Sequence, residues 1–430
     1  MDECCQKIPL TSVIVSDMKK YITSERANLF EPNVYISTAI TLRGAVSAEA
    51  LAQAVRAAYS ANEAAMSRIV LEDSGAAYYE IMDRSACTVT VDRRGLIEII
   101  RDSEKRPFDL KDGELIRTFI IPDSSRSDTF TLLIHSHHLA GDGKSIVNLI
   151  KDILSCLSGK PPVFKPMLSA DKELLDSRAG RDSRVKLISR LIERNWKKHQ
   201  KVFGWDDYYA IHKTYWEKHA TDIRVKTYAL SECEALRSNG ATINSVIICK
   251  LLEQYPGIRL VGIPVSIRDN TTPHGMGNLT SGIELRCRYD VSAGFERNLS
   301  RIHKAIYRTL NNDMDKYFVL RLMAELDPTL IDAVLLCVHG CYNSKDAFHA
   351  AKLLGYTGNR MRQLGVSNLG KIDLDGFCPN VEVCSFLFIP PKVSYSRDII
   401  GVSTFGDKIS LCYHDIEEKR AVKKQPQKKK

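Results

Sequence analysis

The stretch Thr129-Phe130-Thr131-Leu132-Leu133-Ile134-His135-Ser136-His137-His138-Leu139-Ala140-Gly141-Asp142-Gly143 is the most informative in the chain. A strand of period two puts Phe130, Leu132 and Ile134 on one face and Thr131, Leu133, His135 and His137 on the other. If the strand ends near His137, His138 enters a loop in which Gly141 and Gly143 allow a tight turn. Beyond Gly143, apolar residues at Ile146, Leu149, Ile150, Ile153, Leu154 and Leu157 fall on one face of a helix. His138 therefore stands at a strand exit, where side chains commonly reach a cleft. Asp142 stands just before the helix start.

Three chemistries compete for this segment. The histidines can simply satisfy hydrogen bonds at a strand end while Asp142 caps the helix. They can bind a metal, but an H-x-H-x-D-H set aligned on His135 and His137 needs an aspartate and a histidine directly after His138. Leu139 and Ala140 stand there instead, so no metal site is expected. Or one histidine can act as a general base, since imidazole titrates near neutrality and can take a proton from a hydroxyl or amine and later return it. Three histidines and an aspartate in so short a span weigh toward the base.

The first 160 residues alternate strand and helix signals. Strands are expected at Val34–Leu42, Tyr78–Met82, Thr88–Asp92 and Leu115–Ile121. Between the first two, Ser47–Met66 carries Ala and Leu at helical spacing, with Ser47 suited to its start. A break follows Leu157, beginning Ser-Gly-Lys-Pro-Pro, and then a basic amphipathic helix, Arg184 to Val202, read as a surface helix bridging two lobes. A second half starts near Trp216. It is expected to hold helices at Thr242–Glu253, Phe295–Leu310, Lys316–Glu325 and Leu330–Val338. Its strands are expected at Ile258–Ile267, Ile283–Tyr289, Val381–Ile389, Ile399–Thr404 and Lys408–Tyr413. Strands interleaved with helices in two similar halves predict an α/β (α+β) protein of two lobes, each a mixed sheet flanked by helices. The expected division is a first lobe over 1–160, a linker with the amphipathic helix over 161–215, a second lobe over 216–418 and a basic tail over 419–430.

The bulk numbers fit that division. A chain of 430 residues with 44% hydrophobic and 26% charged composition suits two globular lobes. The net charge of +9 looks like a hint of nucleic acid, yet seven positive charges and no acid sit in residues 419–430. The body is close to neutral, so no nucleic-acid partner is expected and the tail reads as a solvated terminus. The 12 cysteines include no C-x-x-C; Cys4 and Cys5 are adjacent, and Cys249, Cys337 and Cys384 lie in apolar runs as small hydrophobes. With no leader-like or membrane-spanning run, a cytoplasmic protein is expected.

Several segments together resemble one family. The run His137-His138 through Asp142-Gly143 is similar to the H-H-x-x-x-D-G motif of the chloramphenicol acetyltransferase-like superfamily, which includes condensation domains, alcohol acetyltransferases, polyketide-associated acyltransferases and the plant BAHD enzymes. Pro107-Phe108-Asp109-Leu110 through Gly113, Leu115 and Arg117 resembles the stretch before the motif strand. Leu42-Arg43-Gly44 resembles the opening strand. Gly240 to Ser245, Pro264 to Arg268, Gly277-Asn278 and Val366 to Gly370 resemble elements of the second lobe. The resemblance spans roughly residues 30–415; the late D-F-G-W-G motif of the plant branch is absent.

The resemblance implies an active-site tunnel between the lobes and an acyl transfer from a thioester to an alcohol or amine acceptor, with His138 as base. His137 would support the loop, Asp142 would point away from substrate and pair with Arg268 in a bidentate bridge, and Gly143 would allow close backbone approach. Asn278 would belong to the supporting turn, while Ser367, Asn368 and Thr404 would be candidate donors toward substrate or oxyanion. No bound cofactor or metal is implied: coenzyme A, or the phosphopantetheine of an acyl or peptidyl carrier protein, would be a substrate. A carrier-dependent condensation enzyme and a catalytically silent binding relative are the alternatives, and a monomer is expected.

Overall fold

The computed structural model describes residues 19–179, 183–238 and 240–418. The basic tail, Cys4-Cys5 and part of the expected linker lie outside the described residues. Two mixed sheets organise the chain, built from β1 (Tyr35–Gly44), β2 (Thr88–Val91), β3 (Ile116–Pro122), β4 (Thr129–His137), β5 (His219–Ala229), β6 (Leu260–Ser266), β7 (Thr280–Arg286), β8 (Arg362–Ile372), β9 (Val381–Ile389), β10 (Ser396–Phe405) and β11 (Lys408–Glu418). One sheet runs β9-β1-β4-β3-β2 and the other β7-β6-β8-β10-β11-β5. The expected class, two α/β lobes each with a mixed sheet and helices, is the class found.

The motif strand is central in its sheet, paired antiparallel with β1 from Tyr35↔His137 to Arg43↔Thr129 and with β3 on its other side. Phe130, Leu132 and Ile134 enter the large core, while Leu133 on the opposite face joins a separate cluster with Ile99, Ile100 and Ile389. Both faces are thus covered, and His135 and His137 are dehydrated by position alone. Helix starts follow their capping chemistry. Ser47 accepts the Ala50 N–H at the head of Ala48–Ser60, and Asp142 accepts the Ser145 N–H at the head of Gly143–Leu157.

The division expected at residues 160 and 216 is not a division in space. β9 leaves the second half and pairs with β1 from Val381↔Gly44 to Ile389↔Ser37. An unpaired β1 edge would leave a row of N–H and C=O groups without partners, and this crossover supplies them. Pro328–Val338 also packs into the first core through Leu330, Ile331 and Val334, and its Asp332 forms a buried pair with Arg26, Nε to Oδ1 2.8 Å. Nor does the second half open at Trp216, which lies inside a helix, Trp205–Lys218, buried with Tyr208, Ile211 and His212.

The basic helix is shorter than expected, Ser183–Trp196. It turns Val185, Ile192 and Trp196 inward against the helices of residues 318–354. Cys384 is exposed rather than buried, because β9 is a sheet edge and bulges between Val383 and Ser385. Among the described residues no helix is long and apolar enough to cross a membrane.

Candidate active site

Between the two sheets lies a cavity of about 810 Å³, within the range of small-molecule sites. His138 reaches it from the strand exit, opposite Gly262 to Ser266 of β6, Thr280 to Arg286 of β7 and Gly365 to Leu369 of β8. The chain turns there in one short 3-10 turn, His138–Ala140, whose first free N–H, that of Leu139, is taken by His137 Nδ1 at 3.2 Å. His137 is buried and spent on the loop. His138, one residue on, is only partly buried.

His135 contributes no chemistry to the cavity. Its Nδ1 meets Ser37 Oγ at 2.8 Å and its ring stacks on Phe108 with centroids 5.5 Å apart. Burial holds the pKa of both His135 and His137 well below the ordinary histidine range. The three neighbouring histidines thus face three different partners, and among the described residues no group of three His, Cys, Asp or Glu side chains converges to hold a metal ion.

His138 is clamped by Asn278. Its Nδ1 lies 2.8 Å from Asn278 Oδ1, and Asn278 Nδ2 donates to the His138 carbonyl at 2.8 Å and to Glu25 Oε2. The amide nitrogen faces two acceptors, which leaves the amide oxygen to face the ring, so Nδ1 must be the N–H that donates. Nε2 then carries the lone pair. Asn28 Nδ2, at 3.5 Å from the same ring nitrogen, is too far to compete. Burial lowers the His138 pKa against the opposing pull of Asp142 and Asn278, so the imidazole is neutral at neutral pH.

Asp142 is an anchor. Its Oδ1 accepts from the Ser145 N–H (3.0 Å) and hydroxyl (3.1 Å); its Oδ2 accepts from Arg268 Nη1 (2.6 Å), the Leu279 N–H (3.0 Å) and the Thr280 hydroxyl (2.8 Å). Five donors exhaust a carboxylate, so none of its lone pairs is left for a substrate. Burial alone would raise its pKa, but the charge and hydrogen bond of Arg268 bring it below the usual value. The Asp142–Arg268 pair expected from the sequence is present, with one correction. It is not bidentate, because Arg268 Nη2 turns to Ser145 Oγ (2.9 Å) and the Gly277 carbonyl (3.0 Å). The arginine therefore ties the helix start to the β6–β7 turn as well as to the aspartate.

That turn requires glycine. Gly277 has φ +145°, and a Cβ there would come 1.8 Å from the Leu168 carbonyl oxygen of the segment after the motif helix. Gly277→Ala is expected to destabilise the chain by about 1–3 kcal/mol, read as a lower urea midpoint; an unchanged midpoint would contradict the tight packing. At Gly143 a Cβ would stand 2.6 Å from Leu369 Cδ2 and 3.4 Å from a Phe388 ring carbon, so the neighbours of the helix start are side chains of β8 and β9, not the backbone expected from the sequence.

The remaining sequence candidates divide. Ser367 lines the cavity, and among the described residues its hydroxyl makes no hydrogen bond. Asn368 also lines it, but its amide donates to Asn244 Oδ1 (2.9 Å) and accepts the Gly370 N–H (2.8 Å), which is a bulge-forming role. Thr404 does not reach the cavity: it sits buried in β10, paired with Ile409 of β11. The side chains that sequence reasoning missed are Glu25, Asn28 and Tyr79, which surround the clamp, and Lys144, whose Nζ holds the Leu369 carbonyl at 2.6 Å. Glu25 precedes and Asn28 ends the short turn Arg26–Asn28, a segment with no periodicity to mark it.

No protein-family model matches the chain, and no curated protein matches it. Solved structures do. Polyketide synthase associated protein 5 from Mycobacterium tuberculosis is 14% identical, with 92% of each chain covered and a TM-score of 0.59. The first condensation domain of the calcium-dependent antibiotic synthetase, in complex with a substrate analogue, is 14% identical over 92% of this chain and 90% of that one, with a TM-score of 0.60. A mutant starter condensation domain of rhizomide synthetase, in complex with C8-CoA, is 12% identical over 92% and 89%, with a TM-score of 0.59. At such identity the likeness establishes the fold: the chain has the two-lobed fold of condensation domains and of polyketide synthase associated protein 5.

Proposed function

We propose that this chain, with the two-lobed condensation-domain fold, is an acyltransferase that moves an acyl group from a thioester to a hydroxyl or amine, with His138 as general base. The observation that carries this reading is the His138–Asn278 bond, which leaves Nε2 as the unprotonated ring nitrogen beside the cavity. The acceptor's oxygen or nitrogen attacks the thioester carbonyl while Nε2 takes its proton. The tetrahedral oxyanion collapses with cleavage of the C–S bond, and His138 returns the proton to the departing thiolate. Ser367, with its hydroxyl free at the cavity wall, is a candidate donor to the oxyanion; Asn368 and Thr404 are otherwise engaged. The cavity is complete within one chain, which supports a monomer.

The thioester donor is read as coenzyme A or a carrier-bound phosphopantetheine, both of which carry phosphate. Arg286 and Arg308 line the cavity, and among the described residues neither has a carboxylate or other side-chain partner. Unpaired guanidinium groups suit phosphate oxygens. The Arg286→Ala/Arg308→Ala double variant should raise KM for an acyl-CoA roughly 10-fold. KM for the matching N-acetylcysteamine thioester, which has no phosphate, should stay unchanged.

Free-thiol release from a panel of acyl-CoAs, with alcohols and amines as acceptors, tests the activity. Turnover with a loaded carrier protein and none with any acyl-CoA would assign the chain to carrier-dependent condensation. Tight acyl-CoA binding with no turnover under any condition would make it a silent binding relative.

A further inference from the structure

We propose that Glu25 is a positioning residue for the histidine base: it orients the Asn278 amide so that His138 keeps its proton on Nδ1 and its lone pair on Nε2. The inference rests on reading His138 as the base, but its geometry stands apart from any substrate.

An amide has nearly the same shape when flipped, so what surrounds Asn278 decides its orientation. With Nδ2 toward Glu25 Oε2 and the His138 carbonyl, each of its two protons meets an acceptor. Reversed, Oδ1 would face a carboxylate and a carbonyl with no proton between them, in a half-buried site at the cavity wall. The flipped amide would also present N–H to His138 Nδ1 and so draw the ring proton onto Nε2, disabling the base. The charge on Glu25 therefore selects the working tautomer from two residues away.

The surroundings of Glu25 leave it free for this task. Tyr79, from the strand Ala77–Ile81, holds its hydroxyl 2.9 Å from Oε1, and Asn278 meets Oε2. Asp142, at the start of the motif helix, acts on it at longer range as a like charge. Arg26, next in the chain, turns away to Asp332, and no cation pairs with Glu25 among the described residues. Burial above all, with Asp142 adding to it, pushes its carboxyl up to about 7.

When His138 becomes imidazolium in the transfer, Nδ1–H remains on Asn278. The Glu25 carboxylate, one amide away, offsets the positive charge and takes no proton itself. The ionised form of Glu25 is the active one, so turnover should fall as pH drops through about 7. The acid limb of His138 itself lies lower, because burial depresses its pKa below 6.5.

The test uses the full chain labelled with 15N-histidine. Long-range proton–nitrogen spectra report which ring nitrogen is protonated, the His138 signal being identified by its loss in His138→Ala. Octanoyl-CoA thiol release is measured in parallel. At pH above the Glu25 limb the native protein should show Nδ1–H. Glu25→Gln, whose neutral amide satisfies either orientation, should move the population toward Nε2–H. It should also lower kcat about 10- to 100-fold with little change in KM, and abolish the limb near 7. Tyr79→Phe removes a hydrogen bond to the charged carboxylate and should shift that limb to higher pH.

A Glu25→Gln protein with the native tautomer and the native pH profile would overturn the proposal; if that variant does not fold, an unmoved limb in Tyr79→Phe would do so. Because the spectra need no substrate, a tautomer that responds to Glu25 in a protein that releases no thiol from any acyl-CoA or loaded carrier protein would sink the acyl-transfer reading and leave the positioning role standing.

Discussion

Replacing His138 by alanine should lower acyl transfer on the order of 10²- to 10⁴-fold, the usual contribution of a positioned general base. The reason is specific to this ring. It is neutral at neutral pH because burial depresses its pKa, its Nδ1 is tied to Asn278 at 2.8 Å, and Nε2 is the nitrogen left for the acceptor's proton. The loss should fall on kcat rather than KM for the thioester, since the base acts on the acceptor proton in the transition state. Stability should change little. The ring is only partly buried and makes one strong side-chain hydrogen bond, whereas the turn around it is held by His137 and Asn278. His137→Ala separates the two roles: it should destabilise the loop through the lost bond to the Leu139 N–H. Thiol release that survives His138→Ala intact would remove the base from the mechanism.

The second large effect is expected at Arg268. Its guanidinium is 14% exposed and its partner Asp142 only 3%, so solvent screens the pair weakly. Arg268→Ala leaves a buried carboxylate without its counter-charge and should cost about 3–5 kcal/mol, read by urea unfolding. It should also reduce activity, because Nη2 spans Ser145 Oγ and the Gly277 carbonyl and so holds the Asn278 turn against the motif helix. Arg268→Lys restores charge but not this fork, and should recover stability more than activity.

The pH sign is opposite to that of Glu25 in origin but similar in direction. The folded Asp142 pKa lies below its ordinary value of 3.8, so the native pair contributes stability that is fully present above that value. This contribution is lost as pH falls through the depressed folded pKa. In Arg268→Ala that acid-side loss should vanish. A variant as stable and as active as the native protein would refute the pairing.

How far the residues speak for themselves differs along the chain. The motif strand was legible because its alternation is strict and both faces end up buried, Phe130, Leu132 and Ile134 on one side and Leu133 on the other. The helices Gly143–Leu157 and Phe295–Leu310 were legible for the same reason, a clear period with capping or turn residues at the start. β5 was not. It is an edge strand of its sheet, carrying Arg224 and Lys226 on an exposed face, and a half-wet edge needs no apolar alternation. β8 is absent from the expected strands, since a bulge between Asn368 and Lys371 breaks its pattern and Gly365 and Gly370 interrupt it. The pairing of Asp142 with Arg268 came through family resemblance, because nothing in the spacing of two residues 126 apart joins them.

The order of side chains along the chain therefore sets local structure. The strand, the turn and the helix start each follow from side-chain periodicity and capping, and together they put a histidine at the end of a buried strand. Tertiary structure decided what that histidine can do. Asn278 arrives from the second sheet, Glu25 and Tyr79 from segments before and after β1, and β9 from the far half of the chain to close the first sheet. A tautomer is set by which acceptors surround an amide at hydrogen-bond distance, and such contacts between residues far apart in sequence leave no period to read. The residues nominate His138; the packing of Asn278 against Glu25 sets which of its ring nitrogens carries the proton.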